Sequence, residues 1–413
     1  MNTTVKKKKA SLPFMHDLCS LCGLCMVQTW PAREGMKICV FHKGWLGELE
    51  QDLFGRERIA NHDDESRFGI SCERCVARLK KPIPGAQFTG IITRLAQRAF
   101  ETGTVQGVVT LHRSPDDYFF PKPVLAMSSA DILAGAGSKP VLASSLTALA
   151  EAYRRGLHSI LIIGTPCQVH NLRRFQKEYP YIRNTEVYVV GIPCTDNANP
   201  ARFRWMLRRV SRSHKTARHI EYMQDYTCHI THDDGTIERI PFFSFPRELF
   251  GTNVHAPCCL SCFDYMNSLA DITVGYIGAP LDRQKMPQWV LVRTMRGQKL
   301  FDMIRDELEF FEEVSSGDRR PGILMYAQKI IPRLAQKDSQ PIKPGREMSL
   351  KKGGEMAALL SASGPRGIEF AKYGVDMHVV RNYYFVKYNY PTILDTLIPR
   401  HVRSLLAEYN LQL

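Results

Sequence analysis

A short sequence repeats at two points of the chain, and each copy follows an apolar, β-branched run. The copies are Gly164-Thr165-Pro166-Cys167 and Gly191-Ile192-Pro193-Cys194, after the runs 159–163 and 186–190. Such runs are typical of buried strands in a parallel sheet, and the pattern of 168–179 between them predicts a helix. Because both strands of a strand–helix–strand unit point the same way, we expect Cys167 and Cys194 at one carboxyl edge of an open sheet. That edge is where α/β proteins bind ligands.

A later turn carries another pair of cysteines, Cys259 and Cys262, at CxxC spacing. This spacing lets one turn direct two thiolates at a single metal centre. With Cys167 and Cys194 added, four thiolates suit an iron–sulfur cubane. An isolated CxxC pair is often a zinc site or no site at all, so zinc is the alternative.

The N-terminal region has a third cysteine motif, Cys19, Cys22 and Cys25, at CxxCxxC spacing. Three thiolates on one tight loop are typical of a ferredoxin, in which a more distant cysteine completes the cubane. Cys39 is the nearest candidate for that fourth ligand. The CxxC pair at positions 72 and 75 competes for the role or is a bystander.

Composition limits the classes of protein. At 413 residues the chain is long enough for two or three domains, and no apolar run reaches the ~18 residues of a membrane-spanning helix. The chain has twelve cysteines, and their grouping into CxxCxxC and CxxC motifs, without an export signal, indicates metal ligation in a reducing compartment, so we expect a cytoplasmic protein. The net charge of +14 favours an acidic partner. No nucleic-acid-binding motif accompanies the charge, so we expect no nucleic acid as partner. A small acidic electron carrier would also be steered by this charge.

The chain divides into three segments. We predict an N-terminal ferredoxin-like iron–sulfur segment over 1–78, an α/β core with an open, largely parallel sheet over 79–345, and a helical segment over 346–413. The helical segment is expected to cover the core or to pack against another subunit, which leaves a homo-oligomer open.

Two features are predicted on the surface of the core. Strands over 220–230 and 237–243 flank the turn signal Asp233-Asp234-Gly235. A helix over 200–212 carries five arginines, which is typical of a solvated face and also suits the docking of an acidic partner.

Three glycine-containing stretches are weak signals for a cofactor. Thr89 and Gly90 open a helix that Thr89 is expected to cap, and free backbone N–H groups there favour a phosphate. The loop 135–139 ends in Ser-Lys and suits an anion, although it lacks the spacing of a Walker A loop. Gly275 and Gly278 follow a predicted strand and leave room for a ligand beside the backbone. Each signal alone is more often a plain cap or turn.

Taken in order, these motifs resemble the beta-subunit family of deazaflavin-reducing hydrogenases and dehydrogenases. The matching stretches are CxxCxxC with the later Cys-Val-Phe, and residues 85–90, 164–168, 191–197 and 261–278. The closer resemblance is to a chlorophyll branch, formed by ferredoxin-dependent divinyl (proto)chlorophyllide 8-vinyl reductases and plant 7-hydroxymethyl chlorophyll a reductases. Residues 221–226, 315–321 and 381–383 are similar to that branch as well.

The resemblance implies FAD and two 4Fe–4S clusters. Carried over by position, the ligands are Cys19, Cys22, Cys25 and Cys39 for the first cluster, and Cys167, Cys194, Cys259 and Cys262 for the second. The implied flavin contacts are Gln87, Thr89, Gly90, Ser138, Lys139, Gly275 and Gly278. The pair at 72 and 75 lies outside the branch pattern, and Cys258 stands where a serine is usual.

The resemblance also implies an activity, in which reduced ferredoxin supplies electrons to reduce the 8-vinyl group of a chlorophyllide-type tetrapyrrole in (bacterio)chlorophyll biosynthesis. Two alternatives within enzymes stay open: reduction of 7-hydroxymethyl chlorophyll a, and a deazaflavin or formate oxidoreductase subunit. A third, of another class, is an electron-transfer adaptor without its own substrate. No proton donor is identified, because Asp225, Tyr226 and Asp264 are residue types that are as often structural.

Overall fold

The strands form one large sheet and two small ones in the computed structural model, which describes residues 17–26, 39–41, 43–115, 117–179, 184–246, 255–335 and 348–411. They are β1 Glu73–Leu79, β2 Gly107–Arg113, β3 Pro121–Ala126, β4 Ser159–Gly164, β5 Glu186–Gly191, β6 Ala217–Tyr222, β7 Thr227–His232, β8 Ile237–Pro241, β9 Ile272–Gly275, β10 Gln288–Val292, β11 Leu308–Phe311, β12 Ser315–Ser316 and β13 Arg366–Gly367.

The α-helices of the described residues cover both faces of the large sheet and most of the C-terminal segment. They are α1 Leu46–Phe54, α2 Glu65–Phe68, α3 Ile91–Glu101, α4 Ser129–Ala134, α5 Thr147–Arg154, α6 Pro166–Glu178, α7 Pro200–Val210, α8 Met295–Asp302, α9 Arg320–Ala335, α10 Leu350–Ser363, α11 Ile368–Asn389, α12 Leu394–Leu397 and α13 Arg400–Glu408.

Four parallel strands form the centre of the large sheet. The strand order is β11-β1-β10-β9-β5-β4-β2-β3; β2, β4, β5 and β9 run parallel, and the strands at both margins pair antiparallel. The α/β class is therefore confirmed, with parallel pairing confined to the centre. β4 and β5 stay in register until Gly164 pairs with Gly191, so their carboxyl ends reach the same edge.

The sheet lies between two apolar layers. Ile160 and Ile162 of β4 pack into one buried cluster, and Leu161 packs into another on the opposite face. Successive side chains of a strand point to opposite faces, so a strand buried on both faces needs an uninterrupted apolar run. This explains the runs that precede both Gly-x-Pro-Cys copies.

The strand predicted over 220–230 is wrong in one respect, because the chain turns in the middle of it. β6 and β7 are two antiparallel strands of the small sheet β6-β7-β8. Tyr226 between them has φ +61°, and the Asp225 carboxylate accepts from the backbone N–H of Thr227 at 3.2 Å. An Asp side chain can close a turn in this way without glycine, which the alternating apolar pattern did not reveal.

The C-terminal segment covers the core through α11. Val375 and Val379 of this helix belong to the buried cluster that contains Trp289 and Cys259. The ferredoxin-like character of the N-terminal segment and the division at 78 and 345 stay predictions, since 1–16, 27–38 and 336–347 lie outside the described residues. Among the helices described, none combines the length and the apolar character that a membrane crossing requires.

Candidate functional site

Four cysteines gather at the carboxyl edge of the parallel strands, and we call Cys167, Cys194, Cys259 and Cys262 the inner cysteines. Cys167 lies in the first turn of α6, Cys194 follows β5, and the other two bracket the 3-10 turn Cys259–Ser261. Asn197 links two of them: its backbone N–H donates to Cys259 Sγ at 3.3 Å, and its side chain donates to Cys194 Sγ at 3.6 Å.

The N-terminal cap of α6 positions a third inner cysteine, Cys167. Thr165 and Gln168 form a capping box at the start of α6, in which the Gln168 side chain accepts from the Thr165 N–H at 3.0 Å. The Thr165 hydroxyl lies 3.5 Å from Cys167 Sγ. The cap thus fixes the direction in which Cys167 leaves the sheet.

The inner cysteines share a buried environment that disfavours free thiolates. Burial, together with the neighbouring Cys259, raises the pKa of Cys167 to about 11. Burial and neighbouring sulfurs also raise the pKa of Cys194 and of Cys262 well above the usual range. Thiolates brought together in this way need a compensating cation, which iron or zinc supplies.

Cys19, Cys22, Cys25 and Cys39, the outer cysteines, form a second group. Burial raises the pKa of Cys39 to about 12, with Cys19 and Cys25 among the charges that add to the shift. Cys72 lies instead beside the Val292 carbonyl, 3.4 Å away. The structure therefore places Cys39, and not the pair at 72 and 75, next to the CxxCxxC loop.

The two groups are neighbours. Burial raises the pKa of Cys22 well above its usual range, and both Cys39 and Cys167 add to the shift. Cys258 belongs to the inner group by position, since its Sγ lies 4.0 Å from Cys259 Sγ.

The arrangement fits a cluster in the chemistry of its donors. Within the described ranges, no three His, Cys, Asp or Glu side chains converge as ligands of a single metal ion would. A cubane separates its four thiolates more widely than one zinc ion does. Thiolates are the donors that iron–sulfur clusters take from proteins, so the residues present fit such a group.

A cavity of about 270 Å³ opens beside the inner cysteines, and Cys194 is part of its wall. Its floor is the carboxyl edge of the sheet, at Gly164 and Ile192. Of the implied flavin contacts, five line it: Gln87, Gly90, Ser138, Lys139 and Gly275. Its size is close to the lower end of ligand pockets, ~300–1,000 Å³.

Thr89 lies behind the cavity wall and does not cap α3. The N-cap is Gly90, with φ +94° and no side-chain cap. The Thr89 hydroxyl accepts from the Leu79 N–H at 3.1 Å and approaches Gln288 Oε1 at 3.4 Å. The predicted cap is therefore wrong, and Thr89 instead joins β1 to a residue of the wall.

The glycine that ends β9, Gly275, and the one that follows the strand, Gly278, differ in the neighbours that a larger side chain would meet. A Cβ at Gly278 would meet the Trp289 ring at 2.2 Å, and one at Gly275 would meet Pro193 at 2.6 Å. Gly278 lies outside the cavity lining, so its small size serves packing, whereas Gly275 lets Pro193 approach at the wall itself.

Lys139 is a buried cation at the cavity edge. Its Nζ donates to the carbonyls of Gly135 at 2.7 Å and Gly137 at 2.9 Å. Burial and the nearby Arg113 lower the pKa of Lys139 to about 7. In the described part of the chain neither cation forms an ion pair with a carboxylate, so an anionic ligand is electrostatically favoured here.

Family models match most of the region that builds this site. Residues 75–150 match the N-terminal model of the coenzyme F420 hydrogenase/dehydrogenase beta subunit, and residues 157–315 match the C-terminal model. The chain belongs to this beta-subunit family. A protein of Nostoc sp. is 35% identical over 96% of this chain and 94% of its own length.

Two further relatives of this family member are informative. The 7-hydroxymethyl chlorophyll a reductase of rice, Oryza sativa subsp. japonica, is 34% identical over 95% of the chain and 83% of its own length. A solved chain of the F420-reducing [NiFe] hydrogenase complex from Methanosarcina barkeri has a TM-score of 0.53 at 22% identity, over 72% of this chain and 91% of that one. The solved structure shows a shared fold.

The sequence analysis singled out residues 381–383 only for their resemblance to the chlorophyll branch, and it assigned them no contact with the inner cysteines. Asn382 donates to the carbonyls of Cys259 and Cys262, at 2.8 and 2.6 Å. Arg381 forms two hydrogen bonds with Asp196, at 2.8 and 2.9 Å. Polar residues in an otherwise buried helix are a signal, but the partner they face is far away in sequence.

Three residues considered as proton donors have structural partners. Asp264 accepts from His170 and from the Ser268 N–H, at 2.7 and 2.8 Å. Asp225 pairs with Arg283, and the Tyr226 ring packs against Phe243. The cavity lining includes none of these three candidates.

Proposed function

We propose that this family member is a ferredoxin-dependent flavin and iron–sulfur reductase of a chlorophyllide-type tetrapyrrole, acting on the 8-vinyl group. The observation that carries the proposal is the buried group of inner cysteines, which opens directly onto the cavity through Cys194. Similarity to the rice chlorophyll reductase over nearly the whole chain supports the pigment as substrate class.

The proposed clusters and flavin divide the work between one-electron and two-electron chemistry. Converting a vinyl group to an ethyl group takes two electrons and two protons, whereas ferredoxin delivers one electron at a time. Bound FAD would collect electrons in pairs and bound clusters would pass them singly. The outer and inner cysteines would hold the clusters, and the five lining residues would hold the flavin.

The chain's own residues would orient and enclose these groups. Asn197 directs two of the inner sulfurs, and the cap at Thr165 directs a third. Lys139 offers a cation to a phosphate at the cavity edge. Thr89 and Gly278 would act from behind the wall, by holding Gln288 and Trp289 in place.

Reduction of 7-hydroxymethyl chlorophyll a is the second candidate, and the name of the rice relative favours it. Converting a hydroxymethyl group to a methyl group also consumes two electrons and two protons, and releases water. The two reactions therefore require the same cofactors, and only the pigment that the site accepts distinguishes them.

The decisive experiment supplies the purified protein, without oxygen, with reduced ferredoxin and either divinyl chlorophyllide or 7-hydroxymethyl chlorophyll a. Loss of the vinyl absorption signature supports the first reaction, and a 7-methyl product supports the second. Reduced clusters with both pigments unchanged would instead indicate an adaptor. A parallel assay with reduced deazaflavin as donor tests the remaining alternative.

A further inference from the structure

One turn of α11 is directed at the backbone that carries the inner cysteines. The Asn382 amide donates to two cysteine carbonyls, and His378 Nε2 donates to the Cys262 carbonyl at 2.9 Å. Asn382 is 0% exposed and His378 is 3% exposed. Residues four apart lie on one face of a helix, so both side chains meet the same CxxC turn.

Arg381, which lies between His378 and Asn382 in the chain, adds a charge beside the inner cysteines. Arg381 binds Asp196, which is two residues beyond Cys194 in the chain. The two parallel hydrogen bonds, at 2.8 and 2.9 Å, are the geometry of a guanidinium–carboxylate ion pair. The pair therefore brings one positive and one negative charge beside the inner cysteines.

Packing alone does not require these polar groups. The same helix already buries Val375, Val379 and Val386 in the core, and burying a polar group without need costs free energy. The match to the family's C-terminal model ends at residue 315, so α11 lies outside the matched region. A helix beyond that region contributes every one of these contacts.

We propose that this turn of α11 supports the inner iron–sulfur site: His378 and Asn382 hold the CxxC turn, and the Arg381–Asp196 pair sets the reduction potential there. The inference rests on the proposed function, because it requires a cluster on the inner cysteines. Reduction adds negative charge to a cluster. A nearby cation therefore raises the potential and a nearby carboxylate lowers it.

The test is a redox titration followed by electron paramagnetic resonance, on the full chain with its clusters. R381Q leaves Asp196 uncompensated and is expected to lower the midpoint potential of the inner cluster. D196N leaves Arg381 uncompensated and is expected to raise it. The double variant should return close to the unmodified protein, and R381K should stay close to it as well.

Lys372 supplies the matched control on the same helix. It pairs with Asp64 at 2.8 Å, and it lies nine residues before Arg381, or ~14 Å along a helix. K372Q removes a buried cation from α11 without touching the inner cysteines, so the potential of the inner cluster should not move.

The hydrogen bonds from His378 and Asn382 to the CxxC turn, which we call the clamp, are tested by a separate measurement, the iron content. N382L is expected to lose the inner cluster and keep the outer one, so that iron falls from about eight to about four per chain. Full iron content and an unchanged inner signal in N382L would overturn the clamp. Equal midpoint potentials in R381Q, D196N and the unmodified protein would overturn the charge effect. If R381Q loses the inner cluster, the potentials of D196N and of the double variant test the charge effect instead. An unmodified protein without an inner cluster would overturn the proposed function itself.

Discussion

At the scale of single residues, the proposed electron route depends on individual cysteine sulfurs as cluster ligands. Cys262 is in the group whose burial and mutual repulsion raise thiol pKa values, and its carbonyl is held from α11. Cys72, by contrast, is exposed and bonded only to a neighbouring carbonyl among its described contacts. The two cysteines should therefore respond very differently to removal.

We expect Cys262→Ala to remove the inner cluster and stop the reduction of flavin by ferredoxin, because a cubane with three thiolates at this site lacks its fourth ligand. Iron content and the rate of flavin bleaching measure the effect. Cys72→Ala is the control and should keep both clusters. Flavin reduction at the normal rate in Cys262→Ala would refute the ligand assignment.

The lowered pKa of Lys139 predicts that the affinity for FAD depends on pH. Its pKa of about 7 lies below the unperturbed value of ~10.4, so without ligand the ammonium is lost as pH rises through 7. A bound phosphate favours the charged form, and FAD affinity should therefore fall between about pH 6 and pH 9. Flavin fluorescence titrations at each pH measure this.

Lys139→Arg is the control for that titration, because a guanidinium stays charged over the whole range. Its FAD affinity should change little with pH. If the unmodified protein shows no more pH dependence than Lys139→Arg, then Lys139 does not face the anionic part of the flavin.

At the scale of elements, the start of α6 connects the sheet to the inner cysteines. Gln168 serves both sides of this connection: its side chain accepts from Thr165 and donates to the Ala143 carbonyl at 3.1 Å. Ala143 lines the cavity. One buried amide therefore joins the helix cap, the cavity wall and the position of Cys167.

Gln168→Leu is expected to destabilise the protein by ~1–3 kcal/mol, because it removes a cap and leaves buried backbone groups unpaired. Chemical denaturation measures the loss. Gln97→Leu, in the middle of α3, is the control and should cost less. A Gln168→Leu variant as stable as the control would show that the cap does not organise this junction.

At the scale of the whole molecule, positive charge is available to attract an acidic electron carrier. Arg208 and Arg209 are exposed on α7, whereas Arg204 pairs with Asp117. The buried face of α7 packs with the small sheet, and Leu18, beside the outer cysteines, packs in a different cluster.

We expect neutralisation of Arg204, Arg208 and Arg209 to raise the KM for ferredoxin at low salt and to have little effect at high salt, because exposed charges are screened. Steady-state kinetics at several ionic strengths measure this. Neutralising Arg154 and Arg155, which pair with Glu151 on α5, is the control. An unchanged salt dependence in the α7 variant would place docking elsewhere.

The sequence by itself determined the strands that carry Cys167 and Cys194, because a strand buried on both faces must be continuously apolar. It also determined the grouping of cysteines, since CxxC and CxxCxxC spacings bring sulfurs together within a single turn. Only the tertiary structure decided which cysteine lies next to the CxxCxxC loop. It also decided that Thr89 bonds to β1 and to a residue of the cavity wall and does not cap a helix, and that α11 contacts the CxxC turn. Those contacts join residues far apart in the chain, and their geometry depends on how the layers pack, which no local pattern records.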